Sequence, residues 1–138
     1  QKPLHKTHLA SYREILIGGT KYKELASQIR SLNDLSGIPF IGLADGTGSR
    51  ELYHRYFLSH GLMFAPDMEA ATTDQILPMI THNLGIGFYP EELAAEAIAC
   101  GSAYAIRLVE PIPEREICLV TNSSTQMSAA VRKVISFL

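Results

Sequence analysis

Two rhythms of apolar residues alternate along this chain. Short apolar runs at residues 14–17 (EILI), 39–43 (PFIGL), 67–71 (DMEAA), 86–89 (IGFY), 105–109 (AIRLV) and 117–121 (ICLVT) predict six strands. Over residues 49–60 the period lengthens to that of a helix. Leu52, Tyr53, Tyr56 and Phe57 fall on one stripe there, and Glu51, Arg55 and Ser59 on the opposite face. A second helical stretch spans 74–83, with Gly85 placed for the left-handed position beyond it. Pro78 lies inside that stretch, so the helix has to start close enough to keep the ring in its opening turns, or bend there. Pro90, Glu91 and Glu92 open a third helix, which Gly101 closes. A last one covers 124–138, with Met127, Ala130, Val131 and Val134 on its apolar face. Residues 21–28 and 31–35 read as short helices, and residues 1–11 as irregular.

Strands alternating with helices imply an α/β domain with right-handed crossovers and a mainly parallel sheet. In such a sheet ligands gather at the carboxyl edge of the strands. Two strand-to-helix turns in this sequence carry hydroxyls, Thr47 with Ser49 and Thr72 with Thr73. A third strand ends at Phe88 and Tyr89. Each hydroxyl also suits the ordinary work of capping a helix. The recurrence of the pattern at neighbouring strand ends favours a ligand-lined edge, where free helix N–H groups meet an anion or a polar small molecule.

Composition narrows the classes. One domain is expected from 138 residues, 46% of them hydrophobic and 19% charged. Twelve basic against fourteen acidic residues leave no electrostatic footprint for nucleic acid. Cys100 and Cys118 lack metal or redox spacing, and both are expected as small apolar fillers. His5, His8, His54, His60 and His82 form no ligand pair at helical spacing, so neither metal nor cofactor is expected. Gly46, Thr47 and Gly48 begin a dinucleotide fingerprint, but Glu51 stands where its third glycine belongs. An enzyme would need a nucleophile or general base at the strand ends. Asp45 and Asp74 are the candidates, and both read better as turn or cap residues. No apolar run approaches the ~20 residues of a membrane span and no secretory leader is visible, which points to the cytoplasm. The sequence opens on Gln1 rather than methionine and is expected to be a fragment or a processed product.

The order and spacing of SLNDL (31–35), PFIGL, GTGSR (46–50), LGIGFYP (84–90) and the closing ICLVTNSS-helix resemble the C-terminal part of the effector-binding domain of LysR-type transcriptional regulators. The likeness runs from about Ser11 onward. It implies a periplasmic-binding-protein-like α/β fold of two subdomains joined by two crossing strands, with a small-molecule inducer in the cleft between them. On that pattern, residues 1–13 are the irregular remnant of a connection and 14–19 the first hinge strand. Residues 20–112 form one complete Rossmann-like subdomain, and 113–138 supply the second hinge strand and a C-terminal helix of a partly missing first subdomain. The ligand-facing residues would be Gly18, Gly19, Thr47, Ser49, Thr72, Thr73, Phe88 and Tyr89, holding a small, acidic metabolite. The resemblance further implies allosteric control of transcription through an N-terminal winged helix-turn-helix, homo-oligomers in the full-length regulator, and no enzymatic activity. An extracytoplasmic solute-binding protein shares the fold and is the alternative.

Overall fold

In a computed structural model, which describes residues 4–122, the chain forms an α/β body from which a two-stranded ribbon extends. The ribbon pairs β1 (Leu4–Tyr12) with β7 (Arg115–Asn122) in antiparallel register, from Leu4↔Asn122 to Tyr12↔Arg115. The body carries β2 (Glu14–Gly18), β3 (Ile41–Leu43), α1 (Gly48–Ser59), β4 (Met68–Ala70), α2 (Ile76–Thr81), β5 (Gly87–Pro90), α3 (Glu91–Ala99) and β6 (Tyr104–Ile106). Short 3-10 turns at Thr20–Tyr22, Leu25–Ser27 and Leu32–Leu35 occupy the two stretches expected to be short helices. The helix expected over residues 124–138 lies outside the described residues.

The sheet is mixed, which corrects the expectation of a mainly parallel one. β3 and β4 are parallel, and a parallel bridge, Phe40↔Ile86, joins them to the β5 side. β2 lies between β5 and β6 and is antiparallel to both. It enters the body from the ribbon rather than from a helix of the body, so the crossover rule for βαβ units does not set its direction.

Strand alternation sorts the core into two layers. Leu16, Phe40, Ile86 and Phe88 face α1 and an aromatic cluster with Tyr53, Tyr56, Phe57 and Phe64. Their neighbours Ile17, Ile41 and Tyr89 face the opposite side, against Ile76 and Ile80 of α2 and Ala94 of α3. Pro78 is the third residue of α2, where its missing N–H leaves no helical bond unmade.

Three further expectations are corrected. Residues 1–11 were expected to be irregular, yet from Leu4 onward the chain is a strand. Thr7 to Ser11 are exposed, so no apolar alternation announces it; a ladder to residues more than a hundred positions away holds it. The left-handed residue after α2 is Asn83, at φ 62°, and not Gly85. The Asn83 side chain accepts the Lys21 N–H at 2.9 Å and donates to the Thr20 hydroxyl at 3.2 Å, which ties down that turn. Gly85 is required for another reason, because a Cβ there would sit 2.7 Å from the Pro39 carbonyl oxygen. Cys100 is exposed at the end of α3 rather than an apolar filler, whereas Cys118 is buried.

Candidate functional site

β3 and β4 end at the 46–50 turn and at Thr72–Thr73, and β5 ends at Tyr89 and Pro90. The parallel pairings place these ends on one edge of the sheet. Glu14, paired with Pro90, brings the start of β2 to the same edge. The ribbon leaves the body here, and a cavity of about 610 Å³ opens where the two meet. Tyr12 and Ile117 of the ribbon, Thr73 and Asp74 after β4, Tyr89 of β5 and Leu93 of α3 line it. Its charged rim is acid-rich, with Asp74, Glu91, Glu92 and Glu114 against Arg13. Burial and then the nearby Asp74 carboxylate hold the Tyr89 hydroxyl above its ordinary pKa, so at neutral pH it stays a protonated donor.

The structure divides the eight expected ligand residues. Thr73 and Tyr89 line the cavity. Ser49, Thr73 and Phe88 border a smaller void of about 20 Å³ beneath the 46–50 turn, so Thr73 borders both spaces. Thr72 is exposed on the same edge. Thr47 is the N-cap of α1: its hydroxyl accepts the Arg50 N–H at 3.1 Å and donates to the Ala44 carbonyl at 2.9 Å. Replacing Thr47 by Ala is expected to cost about 1 kcal/mol in urea unfolding, the usual loss of an N-cap.

Gly18 and Gly19 do not join this edge. They sit at the other end of β2, roughly 13 Å along the strand from Glu14 at ~3.4 Å per residue. Their lack of side chains serves packing. A Cβ on Gly19 would fall 2.4 Å from the Ile80 carbonyl oxygen, and one on Gly18 would crowd Tyr22 and Ile86. Phe88 is likewise a core residue, with its ring stacked on Tyr53 at a centroid distance of 4.1 Å. Because β5 alternates, Phe88 and Tyr89 point to opposite faces and cannot cover one ligand together.

A buried polar cluster behind the edge was not foreseen from the sequence. Arg115 and Glu14 are only 3% and 7% exposed, and Ser49 8%. The Arg115 guanidinium donates to the Ser49 hydroxyl at 2.7 Å and pairs with the Glu14 carboxylate at 3.4 Å. Tyr53 donates its hydroxyl to the same carboxylate, and the guanidinium also lies over the Tyr12 ring. Burial, reinforced by Glu14, pushes the Tyr53 hydroxyl well above its usual pKa; burial lifts Tyr12 to about 12 against the opposing pull of Arg115. One signal was available. β2 and β7 each open on a charged residue, Glu14 before ILI and Arg115 with Glu116 before ICLV, and Glu14 and Arg115 are opposite in sign.

Among the described residues, no cluster of His, Cys, Asp and Glu is placed to hold a metal ion, and no helix is long and apolar enough to cross a membrane. The sequence profile described as LysR substrate binding domain matches residues 1–138. The uncharacterized HTH-type transcriptional regulator YeiE of Escherichia coli K12 is 23% identical over 139 residues, which cover 98% of this chain and 47% of that protein. The chain thus spans about half the length of this curated relative. The effector-binding domain of QuiR in complex with shikimate superposes with a TM-score of 0.76 at 16% identity, over 92% of this chain and 59% of that one. The regulatory domain of CcmR from Synechocystis PCC6803, in complex with 2-PG, gives 0.76 at 16% identity over 91% and 61%. The fold is that of the LysR regulatory domains, periplasmic-binding-protein-like, and the chain belongs to the LysR substrate-binding domain family.

Proposed function

We propose that this chain is the effector-sensing part of a LysR-type transcriptional regulator. A small molecule binds at the sheet edge, and the change in geometry passes to a winged helix-turn-helix elsewhere in the regulator. One observation carries the reading: the cavity of about 610 Å³ lies where the crossing ribbon meets the strand ends, so its occupant touches both parts at once. Its size suits a metabolite. The solved relatives that hold shikimate and 2-PG support this use of the fold.

The proposed ligand residues are Ser49, Thr72, Thr73 and Tyr89, with the N-terminal turn of α1 receiving an acidic group. The carboxylates around the cavity favour a ligand that also presents donors, such as hydroxyls, toward Asp74, Glu91 and Glu114. Residues 20–112 would form one wall of the cleft, and residues 113–138 would return to the other subdomain. The site binds without transforming its ligand. Asp45 pairs with Arg50 at 3.7 Å on an exposed turn, and Asp74 lies in the opening turn before α2, local roles that suffice for both. In the whole regulator, homo-oligomers in the cytoplasm complete the assembly.

Titration calorimetry tests this, with shikimate and a panel of small hydroxylated acids. Thr73→Val is expected to weaken the tightest binder about tenfold, the worth of one hydrogen bond. Equal affinity in wild type, Thr73→Val and Ser49→Ala would remove these residues from the site. Absence of binding across the panel, by this chain and by the whole regulator alike, would sink the sensor reading.

A further inference from the structure

Among the described residues, β1 and β7 pair with each other and form no ladder with a strand of the body. Polar contacts tie the junction together. The Glu91 N–H donates to the Arg13 carbonyl at 2.9 Å, and Arg115 holds Ser49 and Glu14. A buried ion pair is a poor device for stability, since apolar residues of similar volume usually serve as well or better. What it offers is a fixed geometry. The pair stands at the junction, with Glu14 opening β2 and Arg115 opening β7. Its two other partners come from α1, Ser49 from the first turn and Tyr53 one turn further on.

We propose that Arg115 and Glu14 are positioning residues that set the angle between the β1–β7 ribbon and the α/β body, and that Ser49 links this angle to the 46–50 turn. The inference rests on the sensor reading in that the turn belongs to the proposed ligand edge. A ligand that draws the N-terminus of α1 moves Ser49, and the guanidinium bound to it carries the shift into β7. Tyr53 of α1 holds the same carboxylate oxygen as the arginine, so Glu14 cannot simply follow the arginine. Without ligand the joint therefore holds one ribbon orientation rather than a continuous range.

The test uses no ligand, so it fails or succeeds independently of the calorimetry. Spin labels on Thr7→Cys in β1 and Ala95→Cys in α3, in a Cys100→Ser background, report the ribbon-to-body distance by double electron–electron resonance. The unmodified joint should give one narrow distribution. Arg115→Lys, which loses the planar fork, and Ser49→Ala should each broaden or shift it beyond the spread of replicate measurements. The combined variant E14L/Y53F/R115M removes every charge while keeping the volume filled. It should melt within a few degrees of wild type and still lose the narrow distribution. A wild-type distribution in Arg115→Lys and in the folded combined variant overturns the positioning role. A wild-type distribution in Ser49→Ala alone overturns the link to the turn.

Discussion

Arg115→Met on its own is expected to destabilise the domain by roughly 3–5 kcal/mol, the usual loss when one member of a buried ion pair is removed. The Glu14 carboxylate would then remain in a site only 7% exposed, with the Tyr53 hydroxyl as its described partner. Adding Glu14→Leu should recover most of that loss. The Tyr53 hydroxyl would in turn lack its acceptor, at about 1–3 kcal/mol, and Tyr53→Phe should restore this part as well. Urea unfolding followed by far-UV circular dichroism checks the series. An Arg115→Met variant as stable as the triple one would mean that the pair is not held out of water.

Phe88→Ala should cost about 3–5 kcal/mol, the range for deleting a buried aromatic side chain. Its ring stacks on Tyr53 at 4.1 Å and on Phe40 at 5.9 Å, and meets Tyr56, Phe57 and Phe64 at 6.1 to 6.5 Å. The effect is to be read in unfolding midpoints, with Phe88→Leu as the milder companion. Had Phe88 covered the ligand, as the sequence suggested, the loss would fall on affinity and leave stability near wild type. The core placement predicts the reverse. Loss of Phe88 also removes a neighbour of Tyr53, so its effect and that of Tyr53→Phe should not add.

The elements and the family were legible in the sequence because their signals are local. Strand alternation, the apolar stripe of α1, the acid-rich start of α3 and the proline in the opening turn of α2 each occupy a few consecutive residues. The carboxyl edge was legible too, since the turns after β3 and β4 and the end of β5 announce themselves. The local role of each side chain along it was not. Thr47 and Ser49 look alike in sequence, yet one hydroxyl closes a helix cap and the other receives a guanidinium from residue 115. Gly18 and Gly19 follow a strand as the turns after β3 and β4 do, but β2 runs the other way and carries them to the far edge.

The sequence by itself determined most strands and helices of the body, the apolar stripe of α1, and that the chain is an α/β effector-domain sequence. Only the tertiary structure decided that residues 4–12 are a strand, that β2 opposes its neighbours, and that Glu14 and Arg115 meet across 101 positions of chain. The physical reason is the same in all three. A backbone ladder or a buried charge pair is completed by partners far away in sequence, and no short window of residues contains both halves.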